Sequence, residues 1–159
     1  MRFVSRKIMK TIGIRAAPTF VIFAIFDTEQ NTIINVEEVK IPAVFSTPDA
    51  LKYLRSNLLD ILREYAVERA GVRVTEPNAR SLSIDRIQIE GVIQEAFASS
   101  DLQSYFVGQI SSISKRLGIQ RTKFKPLVSG DEDPGVENWS EMSKEAREAI
   151  LCAIGARDA

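Results

Sequence analysis

Between positions 8 and 41 the apolar residues fall in three runs rich in β-branched and aromatic side chains, separated by short polar turns. This pattern predicts strands over Ile8 to Ile14, Thr19 to Phe26 and Thr32 to Ile41. The connections "RAAP" and "DTEQN" are short enough to make antiparallel hairpins, and Pro42 breaks the third strand. Beyond position 47 the period changes to three or four. Leu51, Leu54, Leu58, Ile61, Leu62 and Tyr65 form one stripe of a helix. Thr47 is its expected N-cap, Pro48 and Asp49 suit its first turn, and Gly71 is the expected C-terminal cap.

"VRVTEPN" predicts a short strand stopped by Pro77, and "SIDRIQIEGVIQEAFASSD" a second helix with apolar residues on two faces. Gly91 on that helix would permit close approach of a neighbour. "QSYFVGQI" predicts a fifth strand, and "SSISKRLGI" a short helix closed by Gly118. Residues 120–138 show no periodicity and are expected to be loop. A final helix is expected from Trp139 to Ala156, with Asn138 and Glu141 as a capping box. Strands that follow crossover helices lie parallel to the preceding strand of the same sheet. The expected architecture is therefore α/β, a mixed five-stranded sheet with three antiparallel strands and then two parallel ones, flanked by helices. Residues 1–159 fit one domain.

Composition narrows the chemistry. Twenty-one basic residues balance twenty-one acidic ones, which argues against coating nucleic acid by bulk charge. With no histidine, Ser-His and Cys-His catalysis and every His-based metal site are excluded. The single Cys152 permits no internal disulfide and is read as a buried structural thiol in a reducing compartment. The run "FVIFAIF" is too short to span a bilayer, so no targeting or membrane segment is read and the expected location is cytoplasmic. No phosphate-binding or dinucleotide fingerprint is present, so no nucleotide cofactor is expected.

The ordered set "TIGIRAAPTFVIFAIFD", "VRVTEPN", "IEGVIQEAF", "YFVGQISSISKRLGIQRTKFK" and "KEAREAILCAIGA" resembles the RNase H-like superfamily, in its RuvC-type Holliday-junction resolvase branch. The similarity spans roughly residues 8 to 156. The resemblance implies phosphodiester cleavage with two divalent ions held by three or four carboxylates at the carboxyl ends of the parallel strands. The first acidic position falls on Arg15, which cannot bind a cation. Glu76 matches the second, and Glu148, or less well Glu145, the last. Glu76 and Glu148 are thus vestigial catalytic candidates. The plainer reading of Glu76 is an exposed strand-end residue, and the plainer reading of Glu148, stronger than that for Glu76, is an i,i+4 surface pair with Lys144. Arg15 is expected to pair with Glu76, and Arg15→Asp to create some Mg²⁺ or Mn²⁺ affinity.

Lys115, Arg116, Arg121, Lys123 and Lys125, together with Arg15, are the candidate nucleic-acid contacts. Phe124 among them reads either as a base-stacking ring or as a core residue. Asp131, Glu132 and Asp133 lack Ca²⁺-loop spacing and read as a solvated turn. The leading expectation is a catalytically degenerate domain, without metal cofactor, that binds DNA or RNA or a partner protein within a larger complex. The alternatives are an active endonuclease using Mg²⁺ or Mn²⁺ on branched nucleic acid, and a protein scaffold or homodimer with no nucleic-acid role.

Overall fold

The computed structural model describes residues 9–159. Five strands form one sheet: β1 (Lys10–Ala16), β2 (Phe20–Asp27), β3 (Thr32–Lys40), β4 (Arg69–Arg73) and β5 (Ser104–Gly108). Their order is β3-β2-β1-β4-β5, with β1, β2 and β3 antiparallel and β4 and β5 parallel to β1. Five helices join and cover them: α1 (Thr47–Glu64), α2 (Ile84–Ser99), α3 (Ile110–Leu117), α4 (Phe124–Ser129) and α5 (Lys144–Gly155). The first predicted strand begins at Ile8, which lies outside the described residues. No helix among the described residues is long and apolar enough to cross a membrane.

Side chains alternate across a strand, so β1 feeds two cores. Ile12 and Ile14 point toward α1 and α2, where they meet Leu54, Leu58, Ile93 and Phe97. The opposite face of the sheet supplies Ile22, Ala24 and Phe26 to α3, α4 and α5. On that face Gly13 lies directly beneath α5. A Cβ there would stand 2.0 Å from the Ala149 carbonyl oxygen and 2.2 Å from the Ala153 nitrogen. This close approach lets Thr11 Oγ1 donate to the Ala153 carbonyl at 2.6 Å. The helix is therefore buried nearly all round, including Arg147 and Glu148.

Several local expectations change. Gly71 is inside β4, not at a helix end, and leaves room for the Phe106 ring, 2.3 Å from where its Cβ would sit. Helix α1 ends instead at Tyr65, and Ala66 makes the turn with φ 50°. Ser46 rather than Thr47 precedes its first turn. Gly91 has no neighbour within 4 Å of a built Cβ, and Ile84 and Ile87 are exposed, so α2 buries one face only. Residues 120–138, expected to be loop, contain a 3₁₀ turn at Arg121–Lys123 and helix α4. The last helix starts at Lys144. Its cap is Ser143, which accepts from the Ala146 nitrogen at 3.1 Å, while Asn138 is left-handed.

Arg147 explains why the segment before α5 is ordered despite its weak sequence pattern. It donates to the carbonyls of Trp139 (3.0 Å), Val128 (3.0 Å) and Ser140 (2.9 Å). One buried guanidinium thus fastens the end of α4 and the 3₁₀ turn at Trp139–Glu141 to the central helix.

Candidate functional site

At the carboxyl end of β1, Arg15 lies in register with Arg73, the last residue of β4. Both strands run the same way, so both side chains project from the same face, toward α5. Neighbouring strands are about 4.8 Å apart, and two guanidiniums side by side need an anion between them. Glu148 of α5 provides it. Arg15 Nε donates to Glu148 Oε2 at 2.6 Å, and Arg73 Nε lies 3.4 Å from the same oxygen. The three side chains are 8%, 8% and 3% exposed.

Glu76 stands beside this group, three residues past the end of β4. Its Oε1 accepts from Arg73 Nη1 at 3.0 Å and from the Ile110 nitrogen, the first amide of α3, at 2.7 Å. A carboxylate on a helix N-terminus is stabilised by the unpaired amides and the helix dipole there. The expected Arg15–Glu76 pair is not formed. Arg73, closer along the chain and in register with Arg15, takes Glu76, and α5 brings Glu148 onto Arg15.

A second layer comes from α2. Glu90, nearly buried, accepts from the Thr75 nitrogen (3.0 Å) and Thr75 Oγ1 (3.0 Å), and lies 2.9 Å from Arg86 Nε. Burial first, and then the nearby Arg15 charge, hold the Arg86 guanidinium below its usual range, with Arg73 adding to the effect and Glu90 opposing it. Three guanidiniums and three carboxylates therefore share the carboxyl end of β1 and β4.

The donor set does not fit a pair of divalent ions. Among the described residues no group of three or more Asp, Glu or Cys side chains is arranged to hold a metal. Glu148 and Glu76 already receive guanidinium and amide donors. Arg15 and Arg73 would oppose a cation at this position. Glu145, the weaker candidate, is half-buried in the first turn of α5.

Apart from Arg15, the candidate basic contacts do not converge on this cluster. Arg116 stacks on Phe106, 4.4 Å from the ring centroid, and donates to the Asp158 carbonyl beyond the C-terminus of α5. Lys115 and Arg116 occupy the last turn of α3, whose first amide holds Glu76, so they lie at the far end of that helix. Lys123 is paired with Glu132 at 3.2 Å. Lys115, Arg121 and Lys125 are exposed. Phe124 is buried, with the Arg73 guanidinium 5.6 Å from its centroid, so it is a core residue and does not stack a base.

Sequence reasoning missed Arg73, Arg86 and Glu90. A signal for Arg73 was present, because "RAGVR" places charges at both ends of a strand whose centre is apolar. Glu90 sits between Ile89 and Ile93, a polar residue beside a buried stripe, and only the packed fold shows that it turns toward Thr75.

No family model and no curated protein matches the chain. Among solved structures, Thermus thermophilus RuvC in complex with a Holliday junction substrate is similar over 92% of this chain and 91% of that one, at 14% identity and a TM-score of 0.67. A second Thermus thermophilus RuvC structure covers 92% of each chain at 14% identity, with a TM-score of 0.62. The chain has the RuvC-type RNase H-like fold, with the three antiparallel and two parallel strands expected from its sequence.

Proposed function

We propose that this domain is a resolvase-like nucleic-acid-binding unit that does not cleave. The observation that carries the reading is the Arg15–Glu148–Arg73 bridge, in which guanidiniums occupy the end of the sheet where such a fold would gather carboxylates around metals. A buried carboxylate neutralised by two arginines has no surplus negative charge with which to attract a divalent ion. Affinity for a branched nucleic acid is supported by the similarity to a RuvC bound to a Holliday junction substrate. The exposed Lys115, Arg121 and Lys125 would add sequence-independent phosphate contacts.

The test is retention on a four-way DNA junction as salt is raised. Binding that weakens steeply with salt, and weakens further in a Lys115→Gln, Lys123→Gln, Lys125→Gln variant, supports the reading. Absence of retention at low salt would overturn it. A second reading, association with a partner protein, is favoured by the exposed Leu82, Ile84 and Ile87 around the start of α2 and the exposed Tyr105 and Val107 of the edge strand β5. It predicts a dimer or heteromer in light scattering and no junction binding.

A further inference from the structure

We propose that a cleft beside the β2–β3 turn is a binding site for a small amphipathic ligand with an apolar body and a cationic head group. The inference goes beyond the nucleic-acid reading and does not depend on it. Phe26 in the cleft pairs with Thr11 at the start of β1, and Arg15 lies at the other end of that strand.

The core beneath α5 is incompletely filled at this end. A cleft of about 830 Å³ opens between the β2–β3 turn, the end of α3, α4, α5 and residues 132–138. Phe26, Leu127 and Leu151 form its buried floor, and Ile33, Ile119 and Ile154 are half-buried walls. Sites for small ligands usually measure about 300–1,000 Å³ and are apolar with a few polar groups at fixed places. The outer margin includes Asn31, Pro134 and Gly135, all exposed, so the space is reachable from solvent. An apolar body entering it would cover side chains that the fold itself leaves half in water.

Charge selects the head group. Among the described residues, the charged side chains lining the cleft are Lys123, Glu132 and Glu137. Lys123 and Glu132 offset each other at 3.2 Å. Glu137 stands exposed at the margin with no side-chain partner among the described residues. The same segment, residues 131–138, adds Asp131 and Asp133 and contains no Lys or Arg. Arg157 does not line the cleft, and its guanidinium is engaged with the Phe26 ring at 5.2 Å and with Asn31 Oδ1 at 2.7 Å. A ligand ammonium at the margin would therefore pair with Glu137, whereas a carboxylate there would face it with no unengaged cation in the lining to offset the repulsion.

The experiment is calorimetric titration at pH 7 with n-hexylamine, n-octylamine, n-octanol and n-octanoate, which vary body length and head charge separately. The expected result is saturable binding of n-octylamine, about tenfold tighter than n-hexylamine, the gain from burying two more CH₂ groups. Binding of n-octanoate should be about threefold weaker than that of n-octylamine, as for an exposed ion pair, and Glu137→Gln should erase this preference while keeping n-octanol binding. Ile119→Trp fills the cleft and should weaken all four by about tenfold or more. If Ile119→Trp does not fold, the methyl resonance of Met142, which lines the cleft, decides the location: it should shift with n-octylamine at the calorimetric midpoint. No saturable response to n-octylamine, or a saturable one that leaves Met142 unshifted, overturns the site. Equal affinity for the three octyl compounds overturns the cationic head group.

Discussion

Arg15 and Glu148 lie 133 positions apart in sequence and meet Nε to Oε2 at 2.6 Å, both almost fully buried. The contact ties the middle of the sheet to the helix that crosses it, at the carboxyl end of β1. It is the shorter of the two ion pairs that compensate the buried Glu148, since Arg73 Nε stands 3.4 Å from the same oxygen.

Arg15→Met should destabilise the protein by about 1–3 kcal/mol, because Glu148 loses its shorter ion pair and keeps only Arg73, and read as a lower urea midpoint at unchanged slope. The double variant Arg15→Met, Glu148→Met should recover part of that loss, since an apolar pair of similar volume removes the under-compensated carboxylate while Arg73 keeps its pair with Glu76. A double variant weaker than the single one would contradict the assignment.

Gly13→Ala should be the most damaging small substitution in the sheet. Its Cβ would meet backbone atoms of Ala149 and Ala153, which no rotamer change can move. We expect a loss of about 3 kcal/mol or more, or no folded protein. Gly91→Ala, in open space on the exposed side of α2, should instead stabilise by about 0.5–1 kcal/mol through helix propensity. Thermal midpoints of the two variants check both signs.

The five strands and their mixed directions were legible in the sequence because β-branched runs, short turns and crossover helices each leave a local pattern. What was not legible depends on contacts distant in sequence. Gly71 looked like a helix cap, yet the ring of Phe106 is what requires a glycine there. Residues 120–138 looked like loop, since α4 is held by Arg147 and Trp139 rather than by its own periodicity. Arg15 stood out as a misplaced cation, but its partner could not be read off. Glu76 and Glu148 are both acidic residues expected at the same end of the sheet, and only the register of β1 with β4 shows that Arg73 takes Glu76.

Arg147→Met should free the segment from Gly130 to Asn138. It removes three hydrogen bonds to carbonyl oxygens, and unsatisfied buried acceptors cost about 1–3 kcal/mol each at most. The expected outcome is cleavage within 130–138 by a dilute protease under native conditions, where the parent protein is resistant. Equal resistance of the two would show that the loop is held by other contacts.

Cys152 gives a pH signature. Burial, reinforced by the Glu148 charge, pushes its thiol far above the ordinary cysteine value. The folded pKa is raised, so the native state holds its proton longer than the unfolded state. That contribution is complete below about pH 8.5 and is lost as pH rises above it, by up to about 1.4 kcal/mol per pH unit. Stability between pH 9 and 10.5 should therefore fall more steeply for the parent than for Cys152→Ala. Thiol reagents should label Cys152 only at the rate of unfolding.

Arg15→Asp restores a carboxylate at the first position without restoring a metal site, because Arg73 still bridges Glu148 and Glu76. Titration of this variant with Mg²⁺ or Mn²⁺ should be flat, against the simpler expectation drawn from position 15 alone. Saturable heat would show that Arg73 can move aside.

The central claim is that guanidiniums have taken the place of metal chemistry in a resolvase-like fold. It is tested most directly by incubating a labelled four-way DNA junction with the protein in Mg²⁺ or Mn²⁺ and resolving the strands under denaturing conditions. The account predicts a bound junction whose strands all remain intact. Metal-dependent nicking that disappears in Glu148→Gln and Glu76→Gln would contradict it.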